Sequence, residues 1–501
     1  MTEETDLPEQ TRVRLAKRDR LLAAGTDPYP AGFPRTHTID ELRRKYADLG
    51  PGEATGDRVG VVGRVMLSRP GGKLSFARVR DGTGDIQIMI SLDRSGQDAL
   101  DAWKHDVDLG DHVGVAGEVI TSRRGELSVL ADRFVITAKS LRPLPEKHHG
   151  LSDAESRVRQ RYVDLIVNPE TRRAAELRSR VLRSLREDLH GRGFVEAETP
   201  ILQPVHGGAN AQPFITHHNA QDRDVYLRIA LELYLKRLVV GGIEKVFEIS
   251  KNFRNEGMDG THSPEFTMLE AYEAYGDYDT IGTLTRELIQ RAAREGLGST
   301  VLRRVQRDGE VGGGNEYDIG GEWASKTVHG AISEALGEEI TPGTSEEDLR
   351  KLCARAGVPA DPAWNAGQVV LEMYERLVEE RTVEPTFYRD FPVEVSPLTR
   401  QHRDDPRLAE RWDLVAFGTE LGTGYTELVD PVEERARLTA QSLLAAKGDP
   451  EAMQLDEDFL RALEYGMPPT GGMGLGIDRL LIMFTGLGIR ELIMFPMVKP
   501  E

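Results

Sequence analysis

The chain has 501 residues, 39% hydrophobic and 29% charged. That balance excludes a largely disordered protein and asks for more than one core, since domains run roughly 100–200 residues. With 64 basic and 83 acidic residues the net charge is −19, which excludes broad coating of nucleic acid or an anionic membrane.

The single cysteine, Cys353, excludes a disulfide framework and a cysteine zinc site. No apolar run reaches the ~18 residues of a membrane span. The start, Met1–Arg20, is charged and lacks the apolar core of a signal peptide, so a cytoplasmic protein with no membrane partner is expected.

Residues 1–54 mix charge with Pro and Gly and predict a short helical arm. From Arg58 to about Ile136 the texture changes to short alternating runs: 59–65, 74–79, 86–91, 113–120 and 127–130. Turn signals such as Asp81-Gly82-Thr83-Gly84 separate them. Five strands, with one helix over about 97–104 between the third and fourth, predict an OB-type barrel over 55–142. The stretch 143–165 reads as a hinge.

A second domain over 166–501 follows. Asn168-Pro169 predicts a helix start, and Ala174, Leu177, Val181, Leu182, Leu185 and Leu189 recur at helical spacing up to Gly193. Phe194–Pro200 then alternates as a strand. Later strands lack regular alternation with helices, which predicts an antiparallel sheet flanked by helices and interrupted by an α/β insertion at about 298–384. The fold class is α+β.

Four segments carry chemistry. Between Arg64 and Arg80 lie five basic residues, no carboxylate, and Phe76 on a predicted strand. This is either a surface that stacks unpaired bases or a solvated face with Phe76 in the core. Next, Val246–Gly257 and Glu265–Tyr275 form two strands around a loop. Period two puts Arg254 with Glu256, and Phe266, Met268, Glu270 and Tyr272 on one face. That set is either a bidentate clamp for phosphate or carboxylate, or a surface hairpin with ordinary ion pairs.

Asp413 and Glu420 precede the glycine-rich run Leu421–Glu427 and suit Mg²⁺ carrying phosphates, while Thr423, Tyr425 and Glu427 share a strand face. Finally, Gly471-Gly-Met-Gly-Leu-Gly-Ile-Asp-Arg479 spaces glycines by two, leaving one strand face bare for a flat ligand. It lacks the Lys-Ser/Thr of a P-loop.

Together these segments resemble the signature motifs of class II aminoacyl-tRNA synthetases. The helix and strand ending at Pro200 resemble motif 1, Phe253-Arg-Asn-Glu256 motif 2, and Gly474-Leu-Gly-Ile-Asp-Arg479 motif 3. Arg159–Leu165, Gly207-Gly-Ala, Leu233-Tyr-Leu-Lys-Arg237, Thr261-His262 and Gly424-Tyr-Thr-Glu-Leu428 are similar to the lysyl-tRNA synthetase family in particular. The likeness runs from about residue 55 to Pro500.

The resemblance implies activation of L-lysine with ATP and its transfer to the 3′ end of tRNA(Lys), with Mg²⁺ and a homodimer built on motif 1. By similarity, Arg254 bridges the α-phosphate and the substrate carboxylate, and Glu256 and His262 contact the nucleotide. Phe266 stacks adenine against Arg479, which also meets the terminal phosphates; Arg254 and Arg479 are the catalytic pair. Asp413 and Glu420 hold Mg²⁺. Gly208 and Glu232 receive the α-amino group, and Tyr272 and Glu427 the side-chain ammonium, with Glu270, Thr423 and Tyr425 lining the pocket. Phe76, Gln87 and Glu126 match anticodon-reading positions.

The sequence departs from the family pattern at Gln212 and Lys251, where Arg is expected, and at Leu231, where Pro is expected. Thr419 replaces a common Arg, and Thr423 a common Asn. Three competing readings follow from the same residues. A family that lysylates elongation factor P lacks the barrel. Aspartyl- and asparaginyl-tRNA synthetases need cations where Tyr272 and Glu427 stand. An impaired paralogue acting as an RNA-binding or regulatory protein would have lost Arg254, Arg479 or the metal carboxylates.

Overall fold

The computed structural model describes residues 7–145, 151–304, 312–446 and 454–498, so part of the expected hinge (146–150) and part of the insertion (305–311) lie outside the described residues. The chain divides into two compact units, Met1–Leu151 and Ser152–Glu501.

In the first unit, strands β1 (Ala54–Arg69), β2 (Leu74–Arg80), β3 (Asp85–Ser91), β4 (His112–Thr121) and β5 (Leu127–Ala138) close into a barrel of order β1-β2-β3-β5-β4. Closure pairs every strand edge and leaves alternate side chains inside. Ala77 and Val79 point inward from β2, and Ile86, Ile88 and Ile90 from β3. The helix Gln97–Asp106 buries Leu100 and Trp103 against this core. The arm forms the helices Glu9–Ala23 and Ile39–Lys45, whose Leu21, Ile39 and Leu42 join the same cluster.

The second unit is a sheet under helices. Its strands are β6 (Val195–Glu196), β7 (Leu202–Gln203), β8 (Ile215–His218), β9 (Arg223–Leu227), β10 (Lys245–Phe253), β11 (Glu265–Ala274), β12 (Val301–Arg303), β13 (Glu316–Asp318), β14 (Ala324–Thr327), β15 (Thr386–Pro392), β16 (Leu408–Ala416), β17 (Thr419–Thr426) and β18 (Thr470–Gly476). Eight make the main sheet, ordered β14-β15-β16-β17-β18-β11-β10-β6. It is antiparallel except at its two edges, where β14 pairs parallel with β15 and β6 with β10.

One face carries Phe247, Leu269, Ala271, Trp412, Leu414, Met473 and Leu475 into a core shared with the helices Pro169–Gly191, Tyr278–Leu297 and Ile477–Thr485. Because strand side chains alternate, the intervening residues face the opposite way and build the site.

Two local expectations are revised, and two segments gain detail. The expected strand 194–200 pairs only at Val195–Glu196, because Thr199 gives its N–H and hydroxyl to the Glu248 carboxylate at 3.0 and 2.7 Å instead of a ladder. Arg254 and Glu256 stand just past β10, where Asn255 N–H leaves the sheet for Gln212 O at 2.7 Å. Residues 154–167 form two short helices, tied by Arg157, Arg161 and Thr171 to the buried Asp164. The α/β segment at 298–384 adds β14 to the main sheet's edge and supplies three helices that share a core with β15 and β16.

Candidate active site

The open face of the sheet holds a cavity of about 350 Å³. Strand register explains its floor. On β18, Gly472 lies between Tyr272 of β11 and Tyr425 of β17, and Gly474 between Glu270 and Thr423. A Cβ on Gly472 would meet Glu427 Oε1 at 2.0 Å and the Tyr272 ring at 2.6 Å, so only glycine leaves room for both. The bare strand face read from the sequence is therefore a slot walled by acids and phenols. Gly208, at φ +87°, closes one end beside Ala230 and Glu232, in a conformation that glycine adopts without strain.

The acidic end contains Glu232, Glu270, Tyr272, Tyr425 and Glu427. Glu270 accepts from the Leu231 N–H and the Tyr272 hydroxyl, each at 3.0 Å. The departure at Leu231 thus supplies a donor that proline lacks. Burial, with Glu232 nearby, pushes the Glu270 carboxyl up to about 7. Burial pushes Glu427 up to about 8 against the pull of Lys236, whose Nζ lies 2.5 Å from Glu427 Oε2 and 2.5 Å from Glu232 Oε1. The Tyr425 phenol rises to about 12, again through burial.

The basic end presents Arg254 and Arg479 with Glu256, His262 and Phe266. The Arg254 guanidinium lies over the Phe266 ring, 5.1 Å from its centroid, and reaches Ile229 O at 3.4 Å. Among the described residues it has no carboxylate at ion-pair distance. Arg479 donates to Glu420 O at 2.8 Å and stands 3.1 Å from His262 Nε2. The ring beneath a guanidinium is thus paired with Arg254, and Arg479 pairs with His262. His262 Nδ1 in turn sits 2.8 Å from Asp259 Oδ2.

Glu420 lines the cavity, whereas Asp413 does not. Asp413 is buried behind it, taking Arg411 Nε and Nη2 at 3.0 and 2.8 Å and the Thr423 hydroxyl at 2.7 Å. Glu379 and Glu375 stand close by. Burial and repulsion from Glu420 and Asp413, joined for Glu375 by Glu372, push them up to about 8 and 7. At the other departures, Gln212 donates its backbone N–H to Glu256 Oε1 at 3.4 Å, and Lys251 pairs with Glu265 at 3.3 Å.

Sequence reasoning missed several residues. Asp478 accepts Arg178 Nη1 at 2.6 Å and Thr267 N–H at 2.7 Å, tying the three motif segments together. Glu434 was also missed, and so was Lys236, although a charge inside the apolar run Leu233–Val240 was a usable signal for the lysine.

In the barrel, Phe76 is half-buried on the outer face of β2, not in the core, opposite Met89 and two residues from Arg78. Gln87, opposite Arg78, donates to Ser128 Oγ at 2.9 Å. Glu126 is exposed just before β5, 3.8 Å from Arg43.

A sheet face joining an end lined by Arg254 and Arg479 to a carboxylate-lined end, preceded by an OB barrel, defines the class. A family model for class II tRNA synthetases (D, K and N) matches residues 153–499, and one for the OB-fold nucleic acid binding domain of the tRNA anticodon type matches 59–137. The chain belongs to the class II tRNA synthetases.

It is 57% identical over 498 residues to a lysine–tRNA ligase of Kineococcus radiotolerans, covering 99% of this chain and 98% of that one. It is 57% identical over 503 residues to a lysine–tRNA ligase of Mycobacterium bovis, with the same coverage of 99% and 98%. A lysylphosphatidylglycerol biosynthesis bifunctional protein of Nocardia farcinica is 57% identical over 494 residues, and the chain spans 43% of its length. Within the class, its family is that of the lysine–tRNA ligases.

Proposed function

We propose that the protein activates L-lysine with ATP and transfers it to the 3′ end of tRNA(Lys). One observation carries this reading: a single cavity sets carboxylates and a phenol at one end and unpaired guanidinium at the other. A diammonium substrate with a carboxylate at one end fits that polarity. Glu427 and Tyr272 take the side-chain ammonium, Glu232 and the Gly208 turn the α-amino group, and Arg254 the carboxylate. Glu270, Thr423 and Tyr425 complete the wall.

A neutral side chain would leave Glu427 with only the Lys236 ammonium that it shares with Glu232, which disfavours such substrates. The chemistry needs alignment and charge neutralisation, and no general base. The lysine carboxylate oxygen attacks the α-phosphorus, the bond to the β-phosphate oxygen breaks, and pyrophosphate leaves. A ribose hydroxyl of tRNA then attacks the activated carbonyl and AMP departs. Arg254 holds the carboxylate against the α-phosphate; Glu256, His262 and Phe266 seat the nucleotide, and Arg479 the terminal phosphates.

The crowded carboxyls Asp413, Glu420, Glu375 and Glu379 fit Mg²⁺, because a divalent cation relieves the repulsion that, after burial, pushes Glu379 and Glu375 up. Glu420 and Asp413 would hold it, the latter through oxygen lone pairs left beside Arg411 and Thr423. When bound, Mg²⁺ neutralises phosphate charge. Phe76, Gln87 and Glu126 would read the anticodon, with Arg69 and Arg78 near Phe76 on the strands. Val195 on β6, Ile201 and Leu202 at β7 and Ile215 on β8 are exposed, which supports a second copy docking there. Among the described residues no helix is long and apolar enough to cross a membrane; a cytoplasmic site of action agrees with the tRNA substrate.

The test is amino-acid-dependent ATP–pyrophosphate exchange across lysine, ornithine, arginine and aspartate. Exchange with lysine far above the others is expected. Silence with all four from folded protein that binds ATP would refute the reading in favour of a non-catalytic RNA-binding role.

A further inference from the structure

Behind the acidic end of the cavity lies a lysine of the protein's own. Lys236 is fully buried and does not line the cavity. It sits one turn below Glu232 on the helix Glu232–Val240, among Leu233, Leu235 and Val239. Its Nζ touches Glu232 Oε1 and Glu427 Oε2, each at 2.5 Å. These are the two acceptors that the proposed function gives to the two ammonium groups of the substrate.

A third carboxyl, Glu434 on the helix Pro431–Ala446, is fully buried and neither of its oxygens has a hydrogen-bond partner among the described residues. Burial alone would lower the Lys236 ammonium, but Glu232, Glu427 and Glu434 raise it above its ordinary value, so it stays charged. Three carboxyls thus share one resident ammonium. The cluster is therefore short of positive charge, which a cationic ligand supplies.

We propose that Lys236 is the positioning residue of the amino-acid pocket: its buried ammonium ties Glu232 to Glu427 and fixes the separation of the two acceptors, setting selectivity for lysine over its one-methylene-shorter analogue. The argument rests on the proposed function. Apolar walls alone discriminate a missing methylene weakly, by about 10–200-fold. Acceptors pinned to one separation add a second measure, because ornithine can reach one carboxylate or the other and leaves its partner short of a cation. A pocket whose acceptors were free to move would follow the shorter ligand inward.

The test compares the full chain with Lys236→Met, which keeps length and removes charge. The readout is lysine- and ornithine-dependent ATP–pyrophosphate exchange at saturating ATP, between about pH 6.5 and 8.5. Lysine KM is expected to rise at least about 10-fold with kcat changed far less, and the lysine-to-ornithine preference to fall about 10-fold.

The pH profile separates positioning from packing. Glu427 is faced by Lys236 and Glu232 from one helix, Glu434 from another, and Tyr272 from β11. Without Lys236 its carboxyl holds a proton to higher pH, so the ratio of variant to wild-type KM falls as pH rises. A cavity left by a lost side chain has no such slope. Lys236→Met combined with Glu434→Gln removes one charge of each sign and serves where the single variant folds poorly; the same KM rise and lost preference are expected.

Wild-type KM and preference in either folded variant, or a flat loss of kcat and KM together, would overturn the role of Lys236. Wild-type protein with no lysine-dependent exchange would instead overturn the proposed function.

Discussion

Gly472 and Glu427 face each other so closely that a single added carbon at the glycine would stand 2.0 Å from the carboxylate oxygen. Glu427 is 1% exposed and cannot swing away into solvent. Gly472→Ala is therefore expected to displace Glu427 and the Tyr272 ring together. Lysine KM in pyrophosphate exchange should rise at least about 10-fold, equivalent to about 1.4 kcal/mol, with ATP affinity unchanged. A variant with wild-type lysine KM would show that the slot is not where the substrate side chain lies.

The glycine spacing was legible because a period-two gap in side chains has one structural meaning on a strand. The barrel was legible for the same reason: Ile86, Ile88 and Ile90 alternate without interruption. The tie between Lys236 and Glu427 was not, since the two residues are far apart in the chain and meet only through the packing of a helix on the sheet. Nor was the coupling of Asp413 to Arg411, where adjacent strand residues of one face turn a candidate metal carboxylate into half of an ion pair. Motifs name residue types; which oxygen lone pairs remain free depends on tertiary neighbours.

The acidic end makes stability fall as pH rises. Glu270, Glu427 and Glu434 are pushed up to about 7, 8 and 7, in each case chiefly by burial. Between the ordinary carboxylate range and those values the folded chain holds more protons than the unfolded one. Their stabilising contribution is thus complete at low pH and lost as pH climbs through about 7–8. Lysine supplies the missing cations, so its stabilisation should be larger at pH 8 than at pH 6. Melting temperature against pH, with and without lysine, checks both slopes. Glu427→Gln should abolish lysine activation, spare ATP binding and flatten the lysine-dependent part; a lysine effect that is equal at both pH values would contradict the assignment.

Arg254 lies against Phe266 and otherwise gives only a 3.4 Å bond to Ile229 O among the described residues, which is costly unless a ligand completes it. Replacing it by Lys keeps the charge and removes the fork that spans two oxygens. Arg254→Lys is expected to lower kcat for adenylate formation by about 100–1000-fold, the usual cost of one charge-stabilising donor. Rapid single-turnover measurement of lysyl-adenylate isolates that step. A loss confined to lysine or ATP KM would recast Arg254 as a binding residue only.

Phe76 offers an aromatic face outside the barrel core, between Arg69 of β1 and Met89 of β3. One stacked base is worth about 1–3 kcal/mol, so Phe76→Ala should cut kcat/KM for tRNA(Lys) about 5- to 150-fold. The adenylate step belongs to the other unit, whose cavity contains no residue of the barrel. Pyrophosphate exchange should therefore be unchanged in the same preparation. The ratio of the two assays is the decisive quantity, because misfolding of the barrel alone would also weaken tRNA charging; a Phe76→Trp variant, which keeps a stacking face, should restore it. If tryptophan fails where alanine fails, the ring supports the strand and does not meet a base.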